Sequence, residues 1–329
     1  VVYSDNIRQI IHDINRFGGE KRPFFVLVDF EMKKPLLFPL DQINPETLLI
    51  EFENFSNSDS CSQRSNTQLI SLFPLAPDMK KYAEAFQKVM YSLQRGDSYL
   101  TNLTFPVEVN LNFPAEDLFC LAKAKYKIFL RNEFLVFSPE TFIKINDGMI
   151  STFPMKGTID ASIPNAETVL AEDRKELAEH YTIVDLMRND LSLVAKEVRV
   201  KRFRYTEHIH TNNKALLQTS SEITGRLPLD WESVLGDIIF ALLPAGSVSG
   251  APKKRTCEMI RDAEAEERGY YTGIAGLYNG STFNSCVLIR CIDLSGKKTV
   301  YRAGGGITTQ STMAGEFQEL MDKVYVPLF

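Results

Sequence analysis

The stretch Thr141–Phe153 constrains the fold more than any other. It reads as two short strands, Thr141–Ile145 and Met149–Phe153, on either side of Asn146-Asp147-Gly148. A connection this short joins only antiparallel neighbours, because a parallel pair needs a crossover of about a dozen residues or more. The arrangement recurs near the C-terminus. Thr272–Tyr278 and Thr282–Asp293 flank Asn279-Gly280, and Lys298–Ala303 follows a turn at Ser295-Gly296. Pro23–Phe30, Glu133–Ser138, Lys196–Arg204 and Leu216–Thr224 supply further strands. Helical spacing marks Asp5–Phe17, Asp78–Arg95 with Gly96 as its stop, Pro114–Lys127, a long acidic stretch from Asn165 to Val194, Asp230–Leu242, Pro252–Glu267 and Ser311–Tyr325. Strand pairs alternating with helices predict an α+β fold with mainly antiparallel sheets, not a doubly wound parallel one.

Composition excludes several classes. The net charge of −5 provides no basic face for nucleic acid. No apolar run approaches the roughly 20 residues of a membrane helix, and VVYSDN at the start is unlike a signal peptide. Five scattered cysteines with no C-x-x-C pair favour reduced thiols over a disulfide frame or a zinc site, and so a cytoplasmic protein. The Ser/Asn-rich Asn54–Asn66 reads as a loop.

Chemistry concentrates around Phe153–Thr158, FPMKGT. Pro154 ends a strand because it has no N–H for the ladder, which puts Lys156 in a turn beside Gly157. The acidic helix that follows carries Glu172, Glu176, Glu179 and His180. In the last helix Glu316 and Glu319 lie three apart on one face. Carboxylates on two helices suit a hard cation such as Mg²⁺, although solvated surface glutamates are the commoner meaning of such a pair. Gly304-Gly305-Gly306 follows a strand and reads as an anion-receiving loop or simply a tight turn. Gly246–Lys253 lacks the G-x-x-x-x-G-K pattern of a nucleotide loop. Together these features suggest a small anionic substrate and a metal.

From Asp78 onward the chain resembles the chorismate-utilising enzymes, whose members include anthranilate, isochorismate, salicylate and aminodeoxychorismate synthases. The residues that carry the resemblance stand in the family's order. They are SPE at Ser138–Glu140, PMKGT at Pro154–Thr158, DRKELAEHYTIVDLMRNDLS at Asp173–Ser192 and GSVSGAPK at Gly246–Lys253. RGYYTGIAG at Arg268–Gly276, Ile289-Arg290, AGGGI at Ala303–Ile307 and AGEFQE at Ala314–Glu319 complete the set. The resemblance implies an anthranilate-synthase-like fold: one large domain, with residues 1–77 a short N-terminal part and 78–329 the catalytic core. Two α/β halves would pack their sheets together with the active site between them.

Lys156 is the informative position, because many anthranilate-forming relatives have alanine there and an amine can act as a nucleophile. The resemblance therefore implies conversion of chorismate and ammonia to 4-amino-4-deoxychorismate, a step towards 4-aminobenzoate and folate. Lys156 would form a covalent adduct and Glu140 would be the general acid. Mg²⁺ would sit on Glu179 and Glu319 with Glu316 nearby. Ser249, Lys253, Arg290, Gly304, Gly305 and Gly306 would hold substrate, and a glutamine amidotransferase subunit would supply the ammonia. Another chorismate-utilising reaction is the alternative within the family. A non-catalytic subunit that docks a glutaminase is the alternative outside it. Two positions depart from the pattern: Gln218 stands where many relatives have histidine, and Leu277 where many have tyrosine.

Overall fold

A computed structural model describes residues 3–58, 61, 72–210 and 215–328. The chain begins with α1 (Asp5–Gly19), β1 (Phe24–Val28), β2 (Leu36–Pro39), β3 (Leu48–Phe52), β4 (Phe55–Ser56) and β5 (Leu72–Pro74). It continues through α2 (Met79–Gln94), β6 (Leu100–Leu111), α3 (Ala115–Leu121), β7 (Tyr126–Leu130), β8 (Phe134–Ser138), β9 (Thr141–Asn146), β10 (Met149–Thr152) and β11 (Met155–Asp160). Next come α4 (Ala166–Glu172), α5 (Arg174–Ser192), β12 (Lys196–His210), β13 (Ala215–Arg226), α6 (Leu235–Leu242), β14 (Gly250–Ala251) and α7 (Lys253–Glu264). The last elements are β15 (Ile274–Tyr278), β16 (Phe283–Val287), β17 (Cys291–Asp293), β18 (Val300–Ile307) and α8 (Met313–Asp322).

The chain divides into two compact units, each assembled from three segments. The first comprises Val1–Gln42, Thr141–Lys253 and Arg268–Val287. Its sheet runs β11-β13-β10-β9-β16-β15-β1-β2, with β12 also paired to β13, and the pairings are antiparallel. The hairpin expected across Asn146-Asp147-Gly148 is present, with Met149 opposite Asn146 and Ile150 opposite Ile145. Strand β1 lies between β15 and β2 and is buried at every residue, so its near-continuous apolar run is the mark of a strand covered on both faces. Ile7, Ile11, Ile14 and Phe17 repeat at helical spacing and form the buried stripe of α1. Asn15 on α1 ties α6 down, accepting the Gly236 N–H at 2.7 Å and donating to Asp237 at 2.6 Å.

The second unit comprises Ile43–Glu140, Lys254–Glu267 and Leu288–Phe329. Strands β6-β18-β17-β8-β7-β3-β4 form its sheet, again antiparallel. Tyr82, Phe86, Val89 and Leu93 of α2 pack with Phe119 of α3, Leu320 of α8 and inward residues of the strands in one apolar core. The α+β expectation with mainly antiparallel sheets holds in each unit.

Several local expectations are corrected. The acidic stretch is two helices, because Asp173 adopts extended backbone and caps α5, its carboxylate accepting the Glu176 N–H at 2.9 Å. The helix expected at Pro114–Lys127 ends at Leu121, and Tyr126–Leu130 is a strand paired on both sides. Apolar residues in a strand buried on both faces carry no period that separates them from a helix. Thr282–Asp293 is two strands, β16 and β17, one in each unit's sheet. Gly304–Gly306 is no loop: it lies within β18, opposite Thr104, Leu103 and Asn102 of β6.

The cysteine expectation also changes. Cys61 and Cys120 form a disulfide with their Cα atoms 5.0 Å apart, while Cys257, Cys286 and Cys291 are free and buried. Fifty-nine residues separate the pair, and an odd count says nothing about which two cysteines the fold brings together. The window Trp231–Val248 is apolar enough by composition to pass for a membrane span, contrary to the sequence expectation. Within it α6 covers 8 residues, and Trp231, Ile238, Ile239 and Phe240 are buried in the unit. The Asn54–Asn66 loop lies largely outside the described residues.

Candidate active site

In the first unit, Lys156 lies on a strand and not in a turn. β11 pairs with β13 through Met155 opposite Ser220 and Thr158 opposite Gln218, with a register shift between the two pairs. The extra residue on β11 makes a β-bulge at Lys156-Gly157. Gly157 has φ +81°, a left-handed conformation, and a Cβ there would come within 3.1 Å of both Leu170 Cδ1 and Thr219 Oγ1. Two hydrogen bonds hold the strand ends around the bulge. Ser221 donates its N–H to Pro154 C=O at 3.0 Å, and the Thr219 hydroxyl donates to Lys156 C=O.

The Lys156 side chain reaches α5. Its Nζ lies 3.4 Å from Glu179 Oε2, with the two side chains 21% and 10% exposed. Water is largely excluded, so this contact counts for more than a surface ion pair. The next residue on α5, His180, is fully buried, and its Nε2 is 2.7 Å from Ser221 Oγ, which also accepts the Arg204 N–H at 2.9 Å. Burial first, then the charges of Arg204 and Lys156, push the imidazole down to about 4, so His180 is neutral at pH 7. Spacing along α5 brings Glu179 and His180 to adjacent positions, but nothing in the sequence pairs His180 with Ser221, 41 residues away.

Two residues expected to face substrate are committed within the unit. Ser249 is fully buried and donates its hydroxyl to Ala245 C=O at 3.0 Å. Lys253 Nζ sits 2.7 Å from Asp190 Oδ2 and donates to Leu242 C=O at 2.9 Å, clamping the 246–253 segment to α5. Arg268, only 2% exposed, donates to Val248 C=O at 2.8 Å and stacks over the Phe30 ring at 4.4 Å. Asp190 and Arg268 stand within the blocks Asp173–Ser192 and Arg268–Gly276, but nothing in the sequence pairs Asp190 with Lys253 or Arg268 with Val248. Gln218 is half-buried, paired with Thr158 on one side and Glu207 on the other. Leu277 is a core residue of β15, 7% exposed.

In the second unit, Glu140 is half-buried just after β8 and donates its N–H to Ser138 Oγ at 3.1 Å. Arg290 has φ +57°, accepts the Phe137 N–H at its carbonyl, and holds its guanidinium 5.3 Å from the Tyr325 ring. The glycine strand β18 backs onto α8. A Cβ at Gly305 would lie 3.5 Å from Glu316 Oε2 and 3.8 Å from both Glu319 Oε1 and Lys323 Nζ, so the missing side chain leaves room for these carboxylates. Thr312 caps α8 by accepting the Gly315 N–H at 3.3 Å. Glu316 is 4% exposed, whereas Glu319 is exposed and 2.7 Å from Lys323, which also donates to Gly304 C=O at 2.9 Å. Burial, then the charges of Glu316 and Glu319, raise the Tyr82 hydroxyl, which stays protonated.

The chemistry of these side chains fits Mg²⁺, which takes hard oxygen donors and is usually held by one or two carboxylates while substrate and water complete its shell. Among the described residues no three His, Cys, Asp or Glu side chains gather into a ready-made metal cage. The buried Glu316 beside the side-chain-free Gly305 is the strongest single match.

The profile described as chorismate binding enzyme matches residues 31–328. An uncharacterized PabA-like protein of Pasteurella multocida is 46% identical over 98% of this chain and 99% of its own length. Aminodeoxychorismate synthase component 1 of Escherichia coli is 30% identical, over 91% of this chain and 67% of its own. Among solved structures, anthranilate synthase component I of Streptococcus pneumoniae superposes with a TM-score of 0.64 at 27% identity, covering 80% of this chain and 60% of its own.

Proposed function

The chain belongs to the chorismate-binding enzymes, and on that premise we propose that it converts chorismate and ammonia to 4-amino-4-deoxychorismate. The observation that carries this reading is the lysine amine on the β11 bulge, held 3.4 Å from Glu179. The similarity to an aminodeoxychorismate synthase component 1 supports the same branch of the family.

In this reading Lys156 first passes its proton to solvent. The free amine then forms a bond to C2 of the ring as the ring double bond shifts and the C4–O bond breaks; the released amine recovers that proton at the end of the turnover. Glu140, in its acid form, gives its proton to the departing hydroxyl, which leaves as water. The new secondary ammonium keeps its proton until ammonia bonds to C4. The C2–N bond then breaks, the lysine leaves as an amine, and the surplus proton returns to Glu140. The balance is chorismate plus ammonia giving product plus water. Arg290 would orient a substrate carboxylate, its guanidinium offering two parallel donors. The backbone of Gly304–Gly306 would line the substrate with no side chains in the way. Ser249 and Lys253 would act indirectly, through the shape of the loop they hold. Bound to Glu179, Glu316 and Glu319, Mg²⁺ would supply positive charge to offset the substrate carboxylates. A glutamine amidotransferase subunit would deliver ammonia.

Purified protein with chorismate, Mg²⁺ and ammonium should yield a product that a pyruvate-eliminating lyase converts to 4-aminobenzoate. Anthranilate or isochorismate as the product, or no consumption of chorismate, would overturn the reading. The metal assignment has its own test. Glu179→Gln and Glu319→Gln should each weaken turnover sharply, with part of the loss recovered at raised Mg²⁺. Turnover unchanged after treatment with a chelator would sink that assignment.

A further inference from the structure

We propose that Thr219 is a positioning residue for Lys156: its hydroxyl holds the bulge that presents the amine. The inference rests on the role given to Lys156 above, but its structural half can be tested without chorismate.

The bulge creates a need that Thr219 meets. Ladder pairing runs from Met155–Ser220 to Thr158–Gln218 and gives Lys156 no partner across β13. A backbone carbonyl in this half-buried strand still needs a donor, and the regular N–H of the neighbouring strand is out of register for it. Thr219 occupies the β13 position between the two flanking pairs. It is 3% exposed, and its hydroxyl donates to the Lys156 carbonyl. Gly157 is shaped to the same contact, since a Cβ there would stand 3.1 Å from Thr219 Oγ1. The left-handed glycine and the threonine hydroxyl therefore specify one backbone path between them.

That path sets where the amine points. Lys156 carries its Nζ on a side chain only 21% exposed, against a Glu179 side chain only 10% exposed, so a change in backbone direction at Lys156 cannot be absorbed by free movement in water. The same face of β13 is fixed one step further along: Ser221 bonds His180 through its hydroxyl, and its N–H bonds Pro154 C=O. Thr219 is the side-chain donor to the bulged carbonyl. Valine has nearly the same shape and strand preference but no hydroxyl, whereas serine keeps the donor.

The test compares wild type, Thr219→Val and Thr219→Ser by melting temperature, by hydrogen–deuterium exchange of the peptide covering Met155–Asp160, and by steady-state kinetics with chorismate and ammonium. Expected for Thr219→Val is faster exchange confined to that peptide. Its kcat should fall by about 10²-fold, the scale of a misplacement near 1 Å, while KM changes little. Thr219→Ser should restore slow exchange and most of kcat, a rescue that a packing role would not produce. If Thr219→Val exchanges like wild type in this peptide, the proposal is overturned. It is equally overturned if exchange rises and kcat holds. If wild type itself does not consume chorismate, the reaction assigned above fails. The exchange data with their serine rescue then decide alone whether Thr219 positions Lys156.

Discussion

Lys156→Ala is expected to abolish covalent adduct formation and to lower turnover by several orders of magnitude, with each factor of ten worth about 1.4 kcal/mol of barrier. Methyl cannot replace an amine as a nucleophile, so any residual product must come from direct attack by ammonia. The fold should survive, at a cost in stability. Glu179 loses the cation 3.4 Å away while its side chain stays 10% exposed, and breaking such a pair from one side costs about 3 kcal/mol. Lys156→Arg separates the two effects. A guanidinium keeps a positive charge beside Glu179 but stays protonated and does not attack carbon, so this variant should be better folded than alanine and equally inactive. The decisive measurement is intact-protein mass spectrometry after incubation with chorismate in the absence of ammonia, followed by peptide mapping. Wild type should carry an adduct on the Lys156 peptide. An unmodified wild type together with normal turnover by Lys156→Ala would eliminate the covalent route.

The second large effect is expected at Lys253, and it is one of stability. Lys253→Met removes the cation paired with Asp190, in a pair whose side chains are 18% and 12% exposed. Breaking such a pair from one side should cost about 3 kcal/mol, because the remaining carboxylate stays buried and uncompensated. Removing both charges should not. Lys253→Met combined with Asp190→Leu is expected to lie much nearer wild type in denaturant midpoint, at an unchanged slope.

The pH dependence of that pair follows from the direction of the Asp190 shift. Burial raises its carboxyl above the ordinary range, and the Lys253 charge and hydrogen bond only partly offset this. A group raised on folding contributes stability that is fully present below its unfolded pKa and is lost as pH rises through the folded value. Relative to wild type, Asp190→Asn should therefore gain stability as pH rises from the ordinary carboxylate pKa through the raised one. A Lys253→Met protein as stable as wild type, yet poor in turnover, would return Lys253 to the substrate side.

The parts of this protein legible in its sequence are those set by near neighbours. Asn146-Asp147-Gly148 and Asn279-Gly280 specify hairpins because a tight turn needs only its own residues and two flanking strands. Asp173 and Glu176 carry the start of α5 in a four-residue signal too, although a reading of Asn165–Val194 as one helical stretch passes over it. The charged residues of the candidate site stand out by type and order, which is enough to select Lys156, Glu179, Glu316 and Glu319 as residues of interest. Only the tertiary structure decides what each one touches. Lys156 meets Glu179 across 23 residues, Lys253 meets Asp190 instead of solvent, and Cys61 finds Cys120 across 59. Gly304–Gly306 is straightened into a strand because β6 offers it a full row of backbone partners. Local preference fixes turns and caps, where the interacting groups are a few bonds apart. A bulge, a buried ion pair or a glycine laid against carboxylates depends on which surfaces packing brings together.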